Sequence, residues 1–503
     1  MSGVERSAVI DLGSNSVRMM VVEVARSGAW RVLDEERAIL RLGDALARRG
    51  VLAEDLARAQ YVFSALVARA RSLGASRIAA VGTAALRDAR DGAAFSAALA
   101  RQSNVPIRIL EGVEEAELGF LGAMHTLAVH SGNLVDVGGA SSEISQFEAR
   151  ALRRAASAPV GAVTLTRRVL RSDPPAKAEI DAMKAIADEA VRAAMPDPAQ
   201  GLPLVALGGS FRSIAKMHRA QVGYSFPSLH NYRMPPTAIT ELRERVLRLP
   251  QHQRLVVPGL AVHRAETAAA ALTLAQAISD HLAPSEIVIS GSGLREGMLY
   301  QRILPGQREI PDDVFAPSVR NVLFQLGEQP DEDVLAWAEQ LLAALSPLLG
   351  QGEPGIGGAA AQLRGIGRRV NFYDRNRHTF TLVASARIFG LTHKQQLVLA
   401  ASASYEGPRH TRDRMQGFGT LVDRADILLA QRIGLTVAYA EAMARQAPLS
   451  RPRITATIEP ARIELRLSGV ERPPDVPFDE AARLGGQFGK VFGRKLAVRH
   501  VDD

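Results

Sequence analysis

No cysteine occurs in the 503 residues, which excludes disulfides, thiolate metal sites and cysteine nucleophiles together. A nucleophile or general base must therefore come from another residue type. No apolar run approaches the roughly 20 residues needed to cross a bilayer, and Met1 to Arg6 lacks the regions of a signal peptide. A soluble, cytoplasmic protein with no membrane partner is expected. The 11 histidines show no H-E-x-x-H or comparable ligand spacing, so a histidine metal centre is not indicated.

What is present is ordinary globular material in unusual amount. With 47% hydrophobic and 23% charged residues the chain should bury a sizeable core, and its length calls for more than one domain. The 61 Lys+Arg against 53 Asp+Glu leave a net charge of +8, which suits a polyanionic partner such as a phosphate chain or nucleic acid. An arginine-rich compositional habit explains part of the same excess.

Ser7 to Val24 reads as two apolar strands around a polar turn, with Arg31 to Leu42 as a third strand. A helix over Ala53 to Ser72, a strand at Arg77 to Gly82, a helix from Leu86 to Arg101 and a strand at Ile107 to Leu110 follow, an alternation typical of an α/β layer. The pattern then restarts at Asn133. It repeats strand, acidic-glycine-serine turn and strand, followed by a helix at Ala178 to Ala194 and a strand at Leu204 to Leu207 with a Gly208-Gly209-Ser210 turn. A further helix at Arg264 to His281 and a strand at Glu286 to Ser290 complete this half. Pro305, Gly306, Pro311 and Pro317 mark a linker, Gly350 to Gly358 a loop, and the remainder reads as mostly helical with a strand pair at Ile454 to Leu467. Domains are expected at 1–128, 129–304 and 305–503.

Asp11-Leu-Gly-Ser-Asn-Ser16 and Asp136-Val-Gly-Gly-Ala-Ser-Ser-Glu143 are the repeated turns. Small residues there let backbone N–H groups approach an oxyanion. One such turn alone is more often an ordinary hairpin. Two copies in tandem α/β halves would grip a phosphate chain from both sides, and Asp11 and Asp136 would each offer a carboxylate to Mg²⁺. The acids of Glu111 to Glu117 open a helix, where the dipole alone accounts for them; one of them could also deprotonate a water for attack on phosphorus. Arg18, Arg87 and Arg295 are candidate phosphate contacts. Gly208, Gly209 and Ser210 could hold an anion at a helix start, although the lysine of a P-loop is absent.

Together these segments resemble the exopolyphosphatase and guanosine pentaphosphate phosphohydrolase family, within the sugar kinase, heat-shock chaperone and actin superfamily. The resemblance rests on the two turns, on Val81-Gly-Thr-Ala-Ala-Leu-Arg87, Glu111-Gly-Val-Glu-Glu-Ala116, Leu207-Gly-Gly-Ser210, Val257-Pro-Gly-Leu-Ala261 and Gly293-Leu-Arg-Glu-Gly297. It implies two actin-like (ribonuclease H-like) α/β domains with the active site between them, plus a mostly helical C-terminal domain. It further implies that Glu115 is the catalytic base, that Gly13, Ser14, Asn15 and Ser16 form the first phosphate loop, and that Asp136, Gly138, Gly139, Ser141 and Glu143 bind phosphate or metal, Glu143 being taken with Asp11 and Asp136 as a metal ligand. Thr83 and Arg87 of the 81–87 motif, with Gly208, Gly209, Ser210 and Arg295, are assigned to substrate.

Many longer relatives carry a histidine-aspartate helical domain, but Leu397-Val-Leu-Ala-Ala-Ser-Ala-Ser-Tyr-Glu-Gly407 has no adjacent His-Asp pair, so a degenerate form is expected. Arg364, Arg368, Arg369, Arg375, Arg377, Arg409, Arg412 and Arg414 could there extend a track for a long anion, or simply face solvent. The function expected is Mg²⁺-dependent removal of terminal phosphate from inorganic polyphosphate, in a homodimer. The alternatives are guanosine pentaphosphate as substrate, an actin-fold phosphotransferase, or a nucleotide sensor without catalysis. Nucleic acid is not the expected partner.

Overall fold

The computed structural model describes residues 3–304, 306, 309–350, 355–470 and 479–501. Two compact units result: Met1–Tyr224 with Ser228–Val314, and Ser225–Pro227 with Phe315–Asp503.

The first unit contains two sheets. β1 (Val4–Leu12), β2 (Ser16–Ala25), β3 (Trp30–Ile39), β4 (Arg77–Gly82) and β5 (Ile107–Ile109) form a sheet of order β3-β2-β1-β4-β5, with β1, β2 and β3 antiparallel and β4 and β5 parallel to β1. β6 (Gly132–Val137), β7 (Ser142–Glu148), β8 (Ala151–Ala158), β9 (Leu204–Leu207), β10 (Tyr232–Met234) and β11 (Ile287–Ile289) form the second, ordered β10-β11-β9-β6-β7-β8. Read from β8, it repeats the first sheet's order and strand directions, then adds β10 at the far edge. The turns singled out in the sequence are therefore equivalent β1–β2 and β6–β7 connections.

Both faces of each sheet are apolar because helices cover both. In β1, Ala8, Ile10 and Leu12 face one core with Phe63 and Leu99, while Val9 joins Met20, Val81, Leu118, Met298 and Leu299 in another. The helix Gly112–Met124 is shared: Leu118 belongs to that second core, whereas Phe120 and Met124 pack with Leu134, Val205 and Val288 of the other sheet. Its apolar body is thus fixed between the sheets, and its acidic N-terminal turn is left at the cleft.

Several expectations are corrected. The helix over 86–101 is two helices, Ala84–Asp88 and Gly92–Ser103, because the Asp91 carboxylate accepts the Leu52 N–H at 2.9 Å and turns the chain there. Gly208-Gly209-Ser210 is not a turn but the first turn of the helix Gly208–Gln221. Pro317 lies within the helix Phe315–Leu326, and the helix Ile356–Leu363 takes up the end of the loop expected at 350–358. Pro305 and residues 351–354 lie outside the described residues.

The second unit packs helices around Arg424–Gln446 and carries the sheet of β12 (Arg453–Ile458), β13 (Arg462–Ser468) and β14 (Lys495–His500). By length and composition the helix Arg424–Gln446 could cross a membrane, contrary to the expectation from apolar runs; its apolar window is 78% buried, as a core helix is. The expected arginine track is corrected in part. Arg364 and Arg375 pair with Glu441, Arg368 and Arg369 with Glu328, Arg409 with Asp413 and Arg414 with Glu406. Arg364, Arg368, Arg369, Arg375 and Arg414 thereby tie parts of the unit together, whereas Arg409 pairs within its own helix and Arg377 and Arg412 are exposed.

Candidate active site

The two phosphate-loop candidates share one backbone device. The Gly13 N–H donates to Ser16 O at 3.2 Å, and the Gly138 N–H to Ser141 O at 3.0 Å. Each loop is then seated on the start of a following helix: Gly43 N–H donates to Ser14 O, while the amides of Ala162 and Val163 donate to Gly138 O and Gly139 O. The loops touch, since a side chain at Gly139 would meet Cβ of Ser14 at 3.1 Å. The repeat breaks at one informative place. Asp11 stands opposite Arg18 in the β1–β2 register, but Asp136 stands opposite Glu143 in the β6–β7 register. Equivalent positions thus carry a cation in one lobe and an acid in the other.

Seven carboxylates line this cleft, and four of them, Asp11, Glu115, Asp136 and Glu143, are the acids expected from the sequence; Asp44, Glu266 and Glu296 join them. Burial pushes Glu143 up to about 7, helped by the nearby Asp136 charge and opposed by its hydrogen bonds from Ser141 Oγ at 2.7 Å and Ser157 Oγ at 3.0 Å. Burial likewise raises Asp11 to about 6, against the attraction of Arg18 and Arg295. Asp136 is raised by burial, and Glu115 is raised well above the carboxylate range by burial and by the Glu143 and Asp11 charges. Asp11 Oδ1 is buried without a hydrogen-bond partner. Among the described residues, no three His, Asp or Glu side chains converge into a ready metal cluster.

Arginines line the same cleft, and one of them, Arg167, is paired with Asp44 and Glu266. Arg18 and Arg295, both expected, line it, and Arg295 lies 3.7 Å from Glu35. Arg41, Arg167, Arg212 and Arg264 also line it and were not singled out by their local sequence. Burial lowers Arg212 to about 10, with Arg18 acting in the same direction, and burial lowers Arg264 to about 10, with Arg212 acting in the same direction. Gly208 and Gly209 make this arrangement possible. A Cβ at Gly208, whose φ is +78°, would sit 2.1 Å from Asp136 Oδ1, and one at Gly209 would sit 1.7 Å from Arg264 Nη2. Ser210 Oγ donates to Val137 O at 3.2 Å and ties the same helix to the second loop.

Every expected site residue lines one cleft except Arg87. Gly13, Ser14, Asn15, Ser16 and Thr83 face it from the first lobe, and Gly138, Gly139 and Ser141 from the second. Arg87 instead stands behind Glu115, donating to its Oε2 at 3.3 Å and to Leu110 O at 3.1 Å. Ser157 was missed for the opposite reason: it lies in β8, which the sequence pattern does not reveal, and only strand pairing brings it beside Glu143.

Against this geometry the comparisons with known proteins are specific. A sequence model described as the Ppx/GppA phosphatase family matches residues 20–305. The chain belongs to that family. It is 26% identical over 309 residues to exopolyphosphatase 1 of Mycobacterium leprae, covering 59% of this chain and 89% of that protein. Against exopolyphosphatase 2 of Mycobacterium tuberculosis the identity is 28% over 278 residues, covering 52% and 86%. A solved Ppx/GppA family member from Aquifex aeolicus shares the fold with a TM-score of 0.54 at 22% identity, over 61% of this chain and 100% of that one. The two duplicated sheets are therefore the actin-like pair expected, and the Ppx/GppA protein described here is a phosphoanhydride hydrolase.

Proposed function

We propose that this Ppx/GppA protein is an exopolyphosphatase that removes the terminal phosphate of inorganic polyphosphate, with Glu115 as general base. The observation that carries the reading is the composition of the cleft, where the paired loops meet buried carboxylates and a cluster of arginines. A phosphate chain lying across the loops would meet backbone N–H groups and guanidiniums on its equatorial oxygens. Glu115, with its proton affinity raised by burial and by Glu143, is suited to take a proton from the attacking water. Arg87 holds the Glu115 carboxylate from behind. The named relatives are exopolyphosphatases, which favours the inorganic chain over guanosine pentaphosphate.

The donor set fits Mg²⁺. Asp11 brings a buried, unpartnered oxygen, and Asp136 and Glu143 bring further carboxylates whose mutual repulsion a cation would relieve. Mg²⁺ is characteristically held by one or two carboxylates plus water and substrate phosphates, so a protein-only cage is not required. When bound there, it would neutralise charge on the phosphates. The domain division we retain is 1–128, 129–304 and 305–503.

The test is phosphate release from long-chain polyphosphate, guanosine pentaphosphate and ATP. Wild type should release phosphate fastest from polyphosphate, and Glu115→Gln should lower kcat by about 100- to 10,000-fold. An unimpaired Glu115→Gln enzyme would remove the base assignment; faster cleavage of guanosine pentaphosphate would overturn the substrate.

A further inference from the structure

Arg212 stands apart from the residues used above. It lies on the helix Gly208–Gln221, one turn beyond Gly208 and Gly209, so all three share the helix face turned to the cleft. Gly208 leaves space for the Asp136 carboxylate and Gly209 for the Arg264 guanidinium, which places Arg212 beside both. Among the described residues, the side chains of Arg18, Arg212 and Arg264 have no carboxylate within 4.0 Å. Elsewhere in the chain, partly buried arginines such as Arg167 and Arg364 do have such partners, with Arg167 at 2.8 Å from Asp44 and Arg364 at 2.5 Å from Glu441. The three guanidiniums share the buried Asp136 carboxylate, with Glu296 also near Arg212, so the cluster holds more cations than the acids facing it and a bound anion would relieve the repulsion among them.

We propose that Arg212 is a specificity-determining residue which, between Arg18 and Arg264, forms a subsite for the phosphoryl groups behind the one cleaved, selecting chains of three or more phosphates. This rests on the phosphate-chain reading of the cleft and deepens it. The two loops hold the terminal phosphate, and the wall of the helix Gly208–Gln221 holds the part of the substrate that leaves.

The test measures binding of orthophosphate, pyrophosphate and tripolyphosphate by calorimetry in a Glu115→Gln background, with and without Arg212→Met or Arg212→Lys. Arg212→Met should weaken tripolyphosphate by about 10- to 100-fold and orthophosphate by less than about threefold, with Arg212→Lys between. Arg212→Met removes repulsion from Arg18 together with attraction to Asp136 and Glu296, so the ligand-free melting temperature serves as the check that the variant is folded. Equal losses for all three anions or no loss for tripolyphosphate would overturn the proposal. Tripolyphosphate binding that depends on Arg212 in a protein whose wild type releases no phosphate would sink the hydrolase reading and leave the subsite standing.

Discussion

At the scale of single residues, the site separates groups that meet substrate from groups that hold them. In the proposed mechanism Arg87 is a positioning residue. Its guanidinium does not line the cleft, and it is 17% exposed against 16% for Glu115. Arg87→Ala would leave the Glu115 carboxylate without the cation paired to it, in a setting where burial and three neighbouring acids already disfavour its charge. The expected result is a fall in kcat of about 10- to 100-fold with KM for polyphosphate nearly unchanged, read from steady-state kinetics. A raised KM at constant kcat would instead make Arg87 a substrate contact. The motif at 81–87 identified Arg87 as important but not its role, because a contact to Leu110 O and Glu115 depends on two segments more than 20 residues away.

At the scale of elements, the helix Gly112–Met124 places the proposed base by packing against the helix Leu294–Arg302 at almost backbone contact. A Cβ at Gly122 would lie 2.1 Å from Gly293 O, and one at Gly297 would lie 1.9 Å from Leu118 O. Helix propensity alone predicts that Gly122→Ala stabilises by about 1 kcal/mol. Overpacking at this crossing wins, so Gly122→Ala should destabilise by about 1–3 kcal/mol and displace the N-terminal turn carrying Glu115. Urea denaturation of the variant would measure the first effect and kcat the second; a stabilised, fully active protein would contradict the crossing. The sequence made this helix visible through its acids, and its glycines had no reading until the partner helix was placed against them.

At the scale of the whole molecule, stability and pH are linked through His125, which follows that helix. Its ring stacks on Tyr300 at 3.8 Å, its Nε2 has no hydrogen-bond partner, and burial together with Arg150 lowers its pKa from 6.5 to about 4. A histidine with a depressed folded pKa must stay neutral to fold. Its contribution is therefore intact above 6.5, declines as pH falls below that value and is fully lost below about 4. The shift corresponds to at most about 3 kcal/mol. His125→Gln should flatten the pH dependence of unfolding free energy across that window, measured by denaturation at several pH values. Comparing variant with wild type cancels the buried carboxylates of the cleft, whose raised values act in the opposite direction. An unchanged slope between the two proteins would exclude His125 as the cause. In the helical unit, Glu328 and Glu441 are held below the carboxylate range against the cost of burial by arginine pairs, so their support is present at neutral pH and lost in acid.

The sequence by itself determined the duplicated strand-turn-strand device and the paired aspartates, because a tight oxyanion-binding turn must be built from contiguous small and polar residues. It also determined the acidic start of the helix Gly112–Met124, since its signal is local. Only the tertiary structure decided which arginines serve the cleft. Arg212 and Arg264 converge from separate elements and look locally like any helical arginine, whereas Arg364, Arg368 and Arg369, close together in the C-terminal sequence, are neutralised by Glu441 and Glu328 from distant segments. Charge is written into the chain, but whether it is paired or left free depends on which elements pack together.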